Sequence, residues 1–98
     1  MYAHVAIHNP DPERFADALA ASQEISESIK GAAGLRKVFV GHDVDRRQVF
    51  AMTLWDEPTQ FENVFPIVQA AVRRTGIRNG ETASPQVLKF IQAGGSNT

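Results

Sequence analysis

The chain has 98 residues, 43% of them hydrophobic and 21% charged, with a formal net charge of −1 and no cysteine. That composition is one of a single globular domain rather than a disordered segment, and its near-neutral charge favours neither nucleic acid nor an anionic membrane as a partner. The lack of cysteine excludes a disulfide scaffold, a thiol nucleophile and any Cys-based zinc site.

No apolar run reaches the roughly 20 residues that span a bilayer. Met1 to Val5 also lacks the basic flank and hydrophobic stretch of a signal peptide, so the expected location is cytoplasmic.

Tyr2 to His8 alternates, with Val5 and Ile7 on one face and Tyr2, His4, Ala6 and His8 on the other, which predicts a half-buried strand. Asn9-Pro10-Asp11-Pro12 stops it and starts a helix, because Asp11 can cap free N–H groups and Pro12 has its φ preset. Phe15, Leu19, Ser22, Ile25 and Ile29 then recur at helical spacing, with Ala18 filling in, until the periodicity ends near Lys30 before Gly31 and Gly34.

Leu35 to Gly41 and Gln48 to Trp55 read as two apolar strands joined across the polar turn His42 to Arg47, a hairpin. Asp56-Glu57-Pro58-Thr59 repeats the helix-start chemistry. Phe61, Val64, Phe65, Val68 and Val72 give one buried stripe that ends at Gly76. Pro66 within it removes a backbone hydrogen bond and predicts a kink or two short helices meeting near Phe65. Residues 77–85 read as a loop, Gln86 to Gln92 as a last strand, and 94–98 as a flexible tail behind one domain over 1–93.

The order strand, helix, strand, strand, helix, strand is that of an α+β, ferredoxin-like βαββαβ unit with both helices on one face of a four-stranded antiparallel sheet. Yet the strands carry apolar residues on both faces, such as Phe39 against Val38 and Val40, or Phe50, Met52 and Leu54 against Val49 and Ala51. A second sheet packed face to face would cover the exposed side, which predicts a homodimer.

Among residues able to carry chemistry, His4 and His8 share a strand face but stand roughly 13 Å apart at about 3.3 Å per residue. Zinc–nitrogen bonds of about 2.1 Å cannot bridge that gap, and His42 sits beside a turn whose Asp43 and Asp45 can satisfy their own backbone, so no metal site is expected. His4 lies mid-strand among apolar residues. It is either hydrogen-bonded in the core or dimer interface, or placed to contact a ligand and accept a proton near neutral pH. Trp55 closes the third strand where sheet meets helix, as the wall of a small-ligand cavity or as a plug for the end of the core.

The run Trp55-Asp56-Glu57-Pro58-Thr59-Gln60-Phe61, with Gly34-Leu35 opening the second strand, resembles the antibiotic-biosynthesis monooxygenase (ABM) family of dimeric α/β barrels. The resemblance spans nearly the whole chain as a pattern of elements. It implies a ferredoxin-like homodimer with a pocket in each subunit between helices and sheet. Family members include cofactor-independent monooxygenases that oxidise anthrones, quinols and related aromatics with molecular oxygen, and haem-degrading enzymes. Carried over residue by residue, the family's strand-end tryptophan falls on Trp55. For the first-strand asparagine of haem degraders, Asn9 lies too near the helix start, and His4 or Ala6 is closer to that position. The second helix contains no histidine, which argues against haem degradation.

The reading that results is a monooxygenase acting without a cofactor on a small electron-rich aromatic, with His4 and Trp55 as catalytic candidates and Phe61, Phe65 and Asn9 as substrate contacts. The alternatives are a non-catalytic dimeric ligand-binding or structural module, and a haem-binding protein with His4 or His8 as axial ligand.

Overall fold

The computed structural model describes residues 1–95. Its elements run β1 (Tyr2–Pro10), α1 (Phe15–Glu27), β2 (Leu35–Asp43), β3 (Gln48–Trp55), α2 (Pro58–Thr75) and β4 (Glu81–Ile91). The strands form one four-stranded antiparallel sheet in the order β2-β3-β1-β4, the ferredoxin-like arrangement. Of the flexible tail expected over 94–98, residues 96–98 lie outside the described residues.

The helix starts follow the capping chemistry of the sequence. Asp11 Oδ1 accepts the Glu13 N–H at 3.0 Å, and a single 3-10 turn, Pro12–Arg14, leads into α1. At α2 the acidic cap is Glu57, whose own N–H donates to Gln60 Oε1 at 2.9 Å in a capping box. Gly34 sits at φ +81°, which favours glycine, and a Cβ there would push the Gln60 side chain out of its capping position. Nearby, the Asp56 N–H donates to the Gly34 carbonyl at 3.0 Å, and Arg36 grips both Asp56 carboxylate oxygens at 2.6 Å. The start of β2 is thereby tied to the corner between β3 and α2.

Several features differ from expectation, among them α1, which ends at Glu27 rather than near Lys30, and β2, which runs on to Asp43. β1 continues past His8 to Pro10, and β4 begins at Glu81 inside the segment read as a loop. Pro10 is tolerated because a register shift between Ile7 and Pro10 relieves the ladder, and Pro85 because β4 is an edge strand paired with β1 alone. The second helix is continuous through Pro66 rather than split. Pro66 and Glu62 both lie on the exposed side, where the carbonyl that loses its partner can bond to water.

α1 turns small residues to the protein interior. Ala18, Ala21, Ser22 and Ser26 are buried, whereas Phe15, Leu19 and Ile25 of the expected stripe lie at its margin. Small side chains let the helix lie close over β2 and β3. The main apolar cluster, Tyr2, Ile29, Trp55 and Phe61, sits instead under the N-terminal half of α2.

Register assigns the two faces of the sheet. Tyr2, His4, Ala6 and His8 of β1 share the helix-covered face with Val49, Ala51, Thr53 and Trp55 of β3. Val5, Phe39, Met52 and Leu88 lie side by side on the other face, as do Ala3, Leu54 and Phe90. Among the described residues no helix covers that second face. Phe39 and Phe90 are 48% and 54% exposed there, an apolar sheet surface open to water.

Candidate functional site

Strand pairing places His4 between Thr53 of β3 and Lys89 of β4, on the face that looks toward α2. Phe61 descends from the first turn of α2 onto that position. The imidazole and phenyl rings stack with centroids 3.9 Å apart and planes 20° from parallel. Phe61 also meets Trp55 edge-on at 5.9 Å, Tyr2 at 6.4 Å and Phe65 at 5.8 Å, so one ring joins the strand ends to the helix.

Between α2 and the β1–β4 pair lies a cavity of about 540 Å³. Its floor is Tyr2 and His4, its helix wall Phe61, Glu62 and Phe65, and its outer strand wall Val87 and Lys89. The volume is that of a site for a small organic ligand, and the surfaces are mainly apolar with a few polar groups converging on them.

His4 is neutral in this setting. Burial, and then the positive charge of Lys89, lower its pKa from 6.5 to about 4. At neutral pH the ring therefore offers one N–H donor and one nitrogen acceptor rather than a cation. Across the floor, burial and the Glu62 carboxylate raise the pKa of the Tyr2 phenol, which stays protonated.

The cavity brings together three of the residues singled out in the sequence: His4, Phe61 and Phe65. Trp55 lies behind Phe61, with 0% exposure, its indole N–H donating to Thr53 Oγ1 at 2.8 Å. Its link to the cavity runs through the Phe61 ring. Asn9 is elsewhere: its Oδ1 accepts from Gln48 Nε2 at 3.0 Å and its Nδ2 donates to the Ser84 carbonyl at 3.3 Å, bracing the irregular end of the β1–β4 ladder. Five residues of strand, roughly 16 Å, separate it from His4.

Lys89, Glu62 and Tyr2 were not singled out by sequence reasoning. Their signal was weak: Lys89 stands in the alternation Val87, Lys89, Ile91, and only the pairing of β4 with β1 sets it beside His4. His8 is already engaged, its buried Nδ1 2.9 Å from Glu81 Oε1. His42 is exposed and tilts against Phe15 at 5.4 Å, while Asp43 accepts the backbone N–H groups of Asp45 and Arg46. Among the described residues no group of three or more His, Asp or Glu side chains is placed to hold a metal ion, and no helix is long and apolar enough to cross a membrane.

No family model and no curated protein matches the sequence. Solved structures do match. An antibiotic biosynthesis monooxygenase superposes with a TM-score of 0.80 at 12% identity, covering 96% of this chain and all of the other (100%). A protein of Mycobacterium tuberculosis gives 0.81 at 12% identity, with 98% of each chain covered. A monooxygenase of Streptomyces coelicolor, solved in complex with nanaomycin D, gives 0.77 at 15% identity, covering 99% of this chain and 91% of that one. The fold is that of the antibiotic-biosynthesis monooxygenase structures. At such identities it is the path of the backbone that is shared, and the chemistry has to be argued from the His4 cavity itself.

Proposed function

We propose that the protein is a cofactor-independent monooxygenase of the ABM type, working as a homodimer on a small electron-rich aromatic of the quinol or anthrone class. The observation that carries this reading is the flat His4 imidazole lying on Phe61 in a largely apolar cavity. It is supported by a fold shared with monooxygenases, one of them solved in complex with nanaomycin D.

The chemistry asks little of the protein. A deprotonated anthrone can itself pass an electron to dioxygen. One oxygen atom becomes the new product carbonyl, and the other leaves as water with the two hydrogens of the oxidised carbon. Phe61 and Phe65 supply flat apolar walls that orient the ring and exclude water from the reacting carbon. His4, as neutral imidazole, donates its ring N–H to the substrate oxygen and fixes its direction. Trp55 acts behind Phe61 as a positioning residue. Asn9 stays outside this scheme because of its distance.

One observation favours a second reading. An imidazole with a pKa of about 4 is a weak proton acceptor at neutral pH, which suits a non-catalytic module that binds the same ligands.

Oxygen consumption by the purified protein with a panel of anthrones and naphthalene diols separates the two. Uptake above the protein-free blank, lost in Phe65→Ala and reduced in His4→Ala, supports the monooxygenase. Saturable ligand binding with no uptake across the panel supports the binding module.

A further inference from the structure

The cavity is electrically asymmetric. Its outer strand wall carries the Lys89 ammonium, directly across the β1–β4 pairing from His4, and its helix wall carries the Glu62 carboxylate one residue beyond Phe61. These two are the ionised groups of the lining, since His4 and the Tyr2 phenol are both neutral at pH 7. They make no salt bridge with each other among the described residues, so neither charge is cancelled in place. A purely apolar aromatic would leave both charges without a role.

We propose that Lys89 selects the charge of the ligand: the cavity takes an aromatic that carries an anionic oxygen, a phenolate or aryl carboxylate, seated between Lys89 and His4 and turned away from Glu62. This rests on the cavity being the ligand site, and it narrows the substrate class rather than the reaction. The neutral His4 fits beside such an anion because its N–H can donate to the same oxygen that the ammonium attracts, a charge-assisted pair of contacts. The ring of the ligand then extends along Phe61 and Phe65. For an anthrone or quinol, the oxygen held there is the enolate or phenolate that must form before dioxygen is reduced. Lys89 would thus stabilise the reactive form that a neutral histidine cannot. Glu62, on the opposite wall, disfavours the reverse orientation and suits a hydroxyl donor at the far end of the ligand.

The test compares two probes of nearly equal shape, 2-naphthoate and the neutral 2-naphthamide, by titration calorimetry at pH 7 and low salt. The expected result is a preference for naphthoate of about five-fold, falling as salt is added, as for a partly exposed charge pair. Lys89→Gln should abolish the preference and Lys89→Glu should invert it, whereas Glu62→Gln should strengthen it. Lys89 is exposed, so these variants are expected to fold, and a thermal melt checks that they do. A second readout needs no ligand: the His4 Cε1–H titration, followed by NMR, should move upward in Lys89→Gln. Equal binding of the two probes to the wild type, or an unchanged preference in Lys89→Gln, overturns charge selection while leaving the cavity as a ligand site. Failure of both probes to bind overturns the proposal as well, and the monooxygenase reading is then decided separately by the oxygen-uptake panel. An unmoved His4 titration places the ammonium away from the cavity and overturns it too.

Discussion

The imidazole of His4 lies flat on the ring of Phe61, centroids 3.9 Å apart, and this stack couples the first strand to the start of the second helix. His4 is neutral there. Burial between strand and helix, and then the positive charge of Lys89, lower its pKa to about 4.

A pH dependence of stability follows. In the unfolded chain the same histidine titrates near 6.5. Above that pH it is neutral in both states and costs nothing. As the pH falls from 6.5 toward 4, the unfolded chain takes up a proton that the folded chain refuses, so stability drops, and the loss levels off below about 4. With allowance for partial exposure, the loss should be on the order of 2 kcal/mol. Urea denaturation between pH 4 and 7 checks this. In His4→Phe the stability lost over that interval should shrink by this amount.

Trp55 is predicted to matter first for stability. Its indole is fully enclosed, and its N–H has Thr53 Oγ1 as partner at 2.8 Å. Thr53→Val keeps the volume and strands that N–H, which should cost about 1–3 kcal/mol. Trp55→Ala should cost about 3–5 kcal/mol through the cavity it leaves. Thermal and urea melts measure both. Because Thr53 is not part of the cavity lining, the Thr53→Val protein should bind naphthoate as the wild type does at temperatures where it remains folded.

Much of this was legible in the sequence, for identifiable reasons. The helix starts rest on local capping chemistry at Asp11 and Glu57, which the folded chain uses directly. The strand alternations gave the two-faced sheet. The start of β4 was hidden because Asn79-Gly80 and Ser84-Pro85 carry turn chemistry; only the pairing with β1 reveals that the edge of a sheet accommodates them. Pro66 left a kink and a break open; α2 runs on through it, with the freed Glu62 carbonyl on the exposed side of the helix. His4, Phe61 and Phe65 were visible as residue types in the right elements. Lys89 was not, since no local pattern says which strands become neighbours.

The buried His8–Glu81 pair should be asymmetric to mutation. Both side chains are under 10% exposed, and Glu81 Oε2 has no hydrogen-bond partner among the described residues. Glu81→Leu leaves a single imidazole nitrogen unpaired, at a cost of about 1–3 kcal/mol. His8→Leu strands a buried carboxylate and should cost more, about 3–5 kcal/mol. The double replacement, apolar on both sides, should recover most of the loss, as a buried pair exchanged for packed hydrocarbon does. A double-mutant cycle by urea denaturation at pH 7 gives the coupling. Additive single effects would mean that the pair contributes nothing beyond its volume.

The exposed sheet face should be where two copies meet. Phe39 and Phe50 stack there at 5.7 Å and 24°, next to Met52 and Val5, with no helix above them. A stable interface between proteins buries about 1,600 Å² in total, or about 800 Å² per partner, which one face of a small four-stranded sheet can supply. Each phenylalanine that becomes fully buried contributes about 1.5–3 kcal/mol. Phe39→Asp or Phe50→Asp would place a carboxylate in that apolar contact, a change large enough to raise a dimer's dissociation constant by at least about a hundred-fold. Sedimentation equilibrium at micromolar concentration should therefore find a wild-type dimer, and a monomer for either variant. His4 faces the opposite side of the sheet, so the monomeric variants should retain the His4 titration near 4. A wild-type monomer at that concentration would mean that the open face is tolerated in water, and the case for a homodimer would be lost.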